Sequence, residues 1–291
     1  MKQLAQKNIL VLGLGASGLA LARWCVRWGA QVTVADTRAA PPQLEALRTS
    51  VPAARFINAE MNEALLATAA FDMVLKSPGL SPASVAAVIT AAEARGIACG
   101  NELSLFAQAL ADLKEDRAYA PRVIGITGTN GKTTVTSLTA QLVQRAGKSV
   151  AVAGNIGPTL LDTLAEKLDA QVLPALPDVW VLELSSFQLD RVTNFEPSVA
   201  TVLNITQDHL DWHETLTAYI AAKAHVYGSA GLMLLNRNDP LVMAALPPPV
   251  KGRQLRDYLT FGNDEPQRPG DYGIETVNGM AWLVRAAEAD E

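Results

Sequence analysis

The sequence is poor in the residues that build cross-links and soft-metal sites. It has two cysteines, Cys25 and Cys99, and three histidines in 291 residues. Two cysteines exclude a disulfide scaffold, and neither has a partner at zinc-ligand spacing. There is no basic excess: 24 Lys and Arg stand against 29 Asp and Glu, a net charge of −5. That argues against nucleic acid as a partner, because such binders present a basic face. No apolar run approaches the ~18 residues a membrane span needs. Met1-Lys2-Gln3 leads straight into a strand-like stretch, without the apolar region and cleavage site of a signal peptide. A cytoplasmic location and no membrane partner are the expectations. Fixed-period repeats and long low-complexity tracts are also missing. The remainder is ordinary globular material, 49% apolar and 18% charged. Its length suits about two domains at roughly 150 residues each.

Apolar runs of strand length alternate with amphipathic stretches of helix length, which predicts parallel sheets flanked by helices. Strands are expected at 8–12, 31–35 and 71–75, with helices at 17–28 and 82–95. Lys114-Glu115-Asp116-Arg117 breaks the apolar pattern, and a new strand begins near Arg122. The domain boundary is placed there, giving units 1–116 and 117–291. In the second unit, strands are expected at 123–127, 149–153, 179–184, 199–204 and 232–235. Helices are expected at 132–145 and 219–227, and Pro247-Pro248-Pro249 reads as a rigid surface connection. Trp282 to Arg285 looks like a strand, and Ala286 to Glu291 does not resemble a domain-closing helix.

Two glycine loops carry the chemistry. Gly13-Leu14-Gly15-Ala16-Ser17-Gly18 follows a strand and opens a helix. Glycines there let the backbone turn tightly and approach a ligand, and the helix N-terminus favours negative charge. Asp36 ends the next strand about 20 residues on, where a ribose-binding acid is expected. Read literally, this is a dinucleotide site. The second loop is Gly125-Ile126-Thr127-Gly128-Thr129-Asn130-Gly131-Lys132-Thr133-Thr134. Ile126 departs from the strict Walker pattern, yet the physics survives. Gly128 and Gly131 let backbone N–H groups converge on phosphate, Lys132 supplies charge for the β- and γ-phosphates, and the Thr133 hydroxyl can ligate Mg²⁺. ATP and Mg²⁺ are therefore expected.

A phosphate loop needs an acid from a neighbouring strand, and Glu183 closes the apolar run Val179-Trp180-Val181-Leu182. Asp208-His209-Leu210-Asp211-Trp212-His213 follows the next strand. Asp-His-x-Asp-x-His invites a hydrolytic zinc or two-metal reading. The Mg²⁺ implied by the phosphate loop counts against it. His209, at the end of the strand, is the better ligand candidate, and His213 reads as a surface residue. Lys223 would be a surface lysine on spacing alone. Cys25, Trp24 and Trp28 follow helical spacing and read as core, and Cys99, beside Gly100, as a buried small residue.

Together, Gly128-Thr129-Asn130-Gly131-Lys132-Thr133-Thr134, Gly154-Asn155-Ile156-Gly157, Glu183-Leu184-Ser185-Ser186-Phe187-Gln188-Leu189 and Asp208-His209-Leu210-Asp211 resemble the Mur ligases, ATP-dependent amide-forming enzymes of peptidoglycan precursor synthesis. The resemblance covers essentially the whole chain. It implies a Rossmann-like N-terminal domain and a P-loop NTPase-like central domain with a mostly parallel sheet. The Glu-Leu-Ser-Ser-Phe-Gln-Leu string is similar to the branch that adds D-glutamate to UDP-N-acetylmuramoyl-L-alanine; a Glu-x-Ser-Ser-His string would have favoured a sister ligase. By this resemblance the first loop grips a UDP group, not a redox cofactor. Ser17, Asp36, Thr37, Arg38 and Gly79 would contact the uridine and diphosphate. Asn155, Ser185, Gln188 and His209 would face the muramoyl-alanyl end. Lys223 matches the family lysine that CO₂ converts to a carbamate. Thr133 and Glu183 would hold one Mg²⁺, and His209 with carbamylated Lys223 a second. Lys132, Glu183, His209 and Lys223 are the catalytic candidates, and a monomer is expected. Mur ligases carry a third, C-terminal domain, which the resemblance leaves outside this chain. The chain alone is expected to bind the UDP substrate and to turn over poorly. A dehydrogenase or a plain nucleotide-binding module is the alternative of different class.

Overall fold

The structure is a computed structural model that describes residues 1–170 and 176–287. The chain forms two sheets. The first half contributes β1 (Asn8–Leu12), α1 (Ala16–Arg27), β2 (Gln31–Asp36), α2 (Leu44–Ser50), β3 (Arg55–Asn58), β4 (Met73–Lys76), α3 (Pro82–Ala94), β5 (Ala98–Asn101) and α4 (Glu102–Arg117). Its five strands are parallel, in the order β3-β2-β1-β4-β5. The chain order reverses between β1 and β4. The glycine loop after β1 and Ser77-Pro78-Gly79 after β4 therefore flank the crevice where open α/β sheets bind ligands.

The second half contributes β6 (Arg122–Thr127), α5 (Lys132–Arg145), β7 (Val150–Gly154), α6 (Leu160–Asp169), β8 (Val179–Glu183), α7 (Ser186–Leu189), β9 (Val199–Val202), α8 (Leu210–His213), α9 (Leu216–Ala224), β10 (Leu232–Asn236), α10 (Pro240–Met243), β11 (Tyr258–Phe261), β12 (Tyr272–Val277) and β13 (Met280–Arg285). The sheet order is β13-β12-β11-β10-β9-β6-β8-β7. Among the described strands, only the β12–β13 pair is antiparallel. β6 lies between β9 and β8, so the phosphate loop emerges between Asn204 and Glu183. All five residues of β8 are buried, as expected of a strand covered on both faces.

One apolar core runs through both halves, including Trp24, Phe106, Leu161 and Trp180. Phe106 and Trp180 meet edge to face with ring centroids 5.1 Å apart. Ion pairs run between α1 and α6: Arg27 grips Asp169 with two nitrogens at 2.6 and 2.8 Å, and Arg23 reaches Asp162 at 3.3 Å. Asn101 caps α4 through a reciprocal bond with Ser104, and Ala118 ends the helix in the left-handed region.

Several readings of the sequence need correction. The 114–117 charges do not interrupt structure; they form the solvated last turn of α4. The strand expected at 71–75 lies at Met73–Lys76. The helix expected at 219–227 starts earlier, where the Thr215 hydroxyl caps it, and ends in a tighter turn at His225–Tyr227. Cys99 is exposed, not buried, because β5 is the edge of its sheet. Glu288 to Glu291 of the chain's last stretch lie outside the described residues.

Candidate active site

The phosphate loop is shaped by two glycines. Gly131, at φ 83°, caps α5, and a Cβ at Gly128 would press on Leu203. Asn130 and Asn204 bond reciprocally, amide N–H to side-chain oxygen and side-chain N–H to carbonyl, which ties the loop to the end of β9. The Lys132 ammonium donates to the Gly128 and Thr129 carbonyls at 2.8 and 2.9 Å. It folds back over the loop where phosphate oxygens would meet it. Thr134 is exposed beside Thr133 at the start of α5.

Thr133 Oγ1 donates to Glu183 Oε2 at 2.9 Å, and Asn155 Nδ2 donates to Glu183 Oε1 at 3.0 Å. Glu183 is 1% exposed. A hydroxyl and a carboxylate thus meet at the end of β8, with the Asn155 amide N–H holding the carboxylate, and these two hard oxygens suit Mg²⁺. No group of three His, Cys, Asp or Glu able to hold a metal occurs among the described residues. A closed zinc site is not formed there, and a Mg²⁺ held here would need further oxygens from a phosphate or a modified side chain. Gly154 makes this approach possible, because a Cβ there would collide with the Glu183 backbone.

Lys223 lies under the same loop and is 2% exposed. Its ammonium donates to the Gly128 carbonyl at 2.9 Å and sits 4.5 Å above the Tyr219 ring. Burial, and then the Lys132 charge, push its pKa down to about 7, against the pull of Asp208. It is not a surface lysine but an amine held near neutrality.

His209 takes a left-handed backbone at φ 52° to start α8, with its side chain about half exposed and against Phe187. His213, expected at the surface, is turned inward. It is buried among Phe187, Trp212 and Tyr219 and shares a hydrogen bond with Ser186 Oγ at 2.9 Å. Burial lowers its pKa to about 4; Asp190 opposes this, and Lys223, His209 and Lys76 add to it. Ser185 and Gln188 cap α7 reciprocally, with Gln188 Oε1 accepting from the Ser185 amide at 3.0 Å. Tyr219 OH meets Thr129 Oγ1 at 3.0 Å, so the aromatic cluster touches the phosphate loop.

At the first loop, Asp36 is committed to the chain itself. Its carboxylate accepts from the Leu14 amide at 2.8 Å and from the Arg38 amide and guanidinium. Burial would raise its pKa, but the Arg38 guanidinium and the two amides hold it at about 2. Both oxygens are engaged, so Asp36 orients the loop and Arg38. Thr37, Arg38 and Gly79 are exposed, and a Cβ at Gly79 would meet open space. Ser17 faces the Glu102 carboxyl at the start of α4.

Sequence reasoning missed three contributors: Lys76, Glu102 and the Phe187–Trp212 pair. A lysine closing the apolar strand Met73-Val74-Leu75 was the one available signal for the first.

Residues 7–100 match the Mur ligase MurD-like N-terminal domain, and residues 126–276 match the Mur ligase middle domain. The chain belongs to the Mur ligase family. A UDP-N-acetylmuramoylalanine--D-glutamate ligase of Albidiferax ferrireducens is 63% identical over 295 residues, covering 100% of this chain and 58% of that protein. Another, from Polaromonas sp., is 48% identical over 381 residues, covering 100% and 64%. This Mur ligase chain thus spans about three-fifths of the length of those relatives. A solved UDP-N-acetylmuramate:L-alanyl-gamma-D-glutamyl-meso-diaminopimelate ligase from Neisseria meningitides shares the fold, with TM-score 0.54 and 18% identity over 97% of this chain and 85% of that one. No helix among the described residues is long and apolar enough to cross a membrane.

Proposed function

We propose that this chain is the UDP-substrate and ATP-binding part of a cytoplasmic, monomeric ligase that joins D-glutamate to UDP-N-acetylmuramoyl-L-alanine. The relatives extend well beyond the matched region, so the activity is that of the whole protein. The division of labour follows the two sheets: residues 1–116 hold the UDP group and residues 117–291 the ATP phosphates. The observation that carries the reading is the meeting of Thr133, Asn155 and Glu183 beside the phosphate loop, over the buried amine of Lys223.

A carboxylate is a poor acyl donor at neutral pH. Transfer of the γ-phosphoryl group to the terminal alanyl carboxylate gives an acyl phosphate with a good leaving group. The D-glutamate amine then adds to the acyl carbon, and phosphate departs. The chain's task is positioning and charge neutralisation. Lys132 and the loop amides hold the phosphates, and Ser185, Gln188, Asn155 and His209 orient the muramoyl-alanyl end. At ~4 Å and an effective dielectric of ~20, carboxylate and phosphate repel by about 4 kcal/mol per charge pair. Mg²⁺ held by Thr133 and Glu183, and a second ion held by His209 and modified Lys223, would offset that repulsion.

Lys223 is suited to the modification. Its neutral amine forms an N–C bond to CO₂, a C=O electron pair moves to oxygen, and the nitrogen releases a proton. The product is a carboxylate-like anion where an ammonium stood.

Calorimetric titration with UDP-N-acetylmuramoyl-L-alanine, with NADH in parallel, tests the assignment. Saturable binding of the former alone is expected. Binding of NADH alone would overturn the ligase reading.

A further inference from the structure

Lys76 ends β4 immediately before Ser77-Pro78-Gly79, and its side chain is almost wholly buried. Its ammonium has three neighbours from three parts of the chain. It donates to the Leu80 carbonyl at 3.0 Å, which closes the loop that follows β4. It lies 3.6 Å from Asp190, at the end of α7. It sits 4.6 Å from the centroid of the Trp212 ring, in α8. Among the described residues, Asp190 Oδ2 is buried with no hydrogen bond, and the Trp212 indole N–H has none either, so packing and not a hydrogen bond holds that ring. Trp212 is thus held among the cation, the Phe187 ring, stacked at 4.6 Å with planes 28° apart, and the His213 ring at 4.4 Å. Phe187 in turn lies 4.8 Å from His209.

We propose that Lys76 is a positioning residue for the ligation site: its ammonium, carried by the substrate-binding sheet, fixes Trp212 and through Phe187 the ring of His209. This rests on the ligase reading above and adds a residue to it. The cation belongs to the end of β4 in the first sheet and its aromatic partner to the second half, so seating a ligand on Ser77-Pro78-Gly79 bears on Trp212 and, through Phe187, on His209. A buried ammonium over an indole is a strong form of this contact, because little water competes for the charge. Arginine can keep it; methionine keeps the bulk and removes the charge.

The test compares Lys76→Met and Lys76→Arg in the intact protein. Lys76→Met should lower kcat for ATP-dependent ligation roughly 10- to 100-fold, the scale of a small misplacement of reacting groups. KM for ATP should stay within about threefold, as for an interaction made only in the transition state. Lys76→Arg should restore most of the rate. This 291-residue chain has three histidines, so in it the ring signals can be assigned by NMR. In Lys76→Met the His209 signal should shift or broaden while that of His225 stays. Unchanged kcat, failure of arginine to rescue, or an unmoved His209 signal would each overturn the proposal. Should Lys76→Met fail to fold, Trp212→Phe and Trp212→Leu decide: equal rates in the two would overturn it, and a loss confined to leucine would support it. If the wild-type protein binds no UDP substrate, the ligase reading falls, and the His209 signal alone decides whether Lys76 positions that ring.

Discussion

Thr133 Oγ1 and Glu183 Oε2 lie 2.9 Å apart although 50 residues separate them in the chain. The contact joins the first turn of α5 to the end of β8, so the hydroxyl and carboxylate that would share a Mg²⁺ are already adjacent. Glu183→Gln should abolish the Mg²⁺ dependence of ATP binding while leaving a weak metal-independent component. Calorimetry with and without Mg²⁺ measures this. Undiminished Mg²⁺ dependence in the variant would remove Glu183 from the metal site.

Among the described residues, Lys132 bonds only to its own loop, so its loss strands no distant partner there. Lys132→Ala should keep the thermal stability and lose roughly 100- to 1,000-fold in phosphoryl transfer, the scale seen when one preorganised charge donor is removed. Phosphate release is the assay. Near-normal release would contradict the role given to this lysine.

Lys223 offers a cleaner discrimination. If it serves as a cation, Lys223→Arg should work; if it serves as a neutral nucleophile toward CO₂, arginine cannot replace it, since a guanidinium stays charged. We expect Lys223→Arg to lose ligation, and the wild type incubated with ¹³C-labelled CO₂ to show a carbamate carbon that the variant lacks. An active arginine variant would end the carbamate proposal.

Glu102 gives the stability a pH dependence. It is 1% exposed, and its Oε1 accepts from the Leu161 amide at 3.1 Å. Burial pushes its pKa up to about 7, although Ser17 and the α6 amides favour the anion. The folded state therefore holds a proton that the unfolded chain has released, between the ordinary glutamate value and about pH 7. The contribution of Glu102 to stability is greatest below that window and falls as pH rises through it, by roughly 3 kcal/mol in all. Glu102→Gln should flatten the loss of melting temperature between about pH 5 and pH 8. An unchanged slope would assign the pH dependence elsewhere.

Much of this molecule is legible locally. The strands, the two glycine loops and Glu183 follow from short apolar runs, from glycines that permit left-handed or crowded backbone, and from an acid at a strand end. His213 was not legible, because its burial depends on Phe187 and Tyr219, which approach it only in the folded chain. Cys99 is exposed because of where β5 falls in the sheet order, a long-range property. Lys76 was missed for the same reason: one lysine at a strand end is unremarkable until Asp190 and Trp212 arrive from the other sheet. Asp36 is legible as an acid at a strand end, but its bonds to Leu14 and Arg38 are not, because they depend on how the two loops fold back.

The apolar core that continues from Trp24 through Phe106 to Trp180, reinforced by the α1–α6 ion pairs, has a calorimetric consequence. Neither sheet can lose its structure without exposing the other's buried face. A heat-capacity scan of this chain should therefore show a single endotherm, with no separate melting of the substrate-binding half.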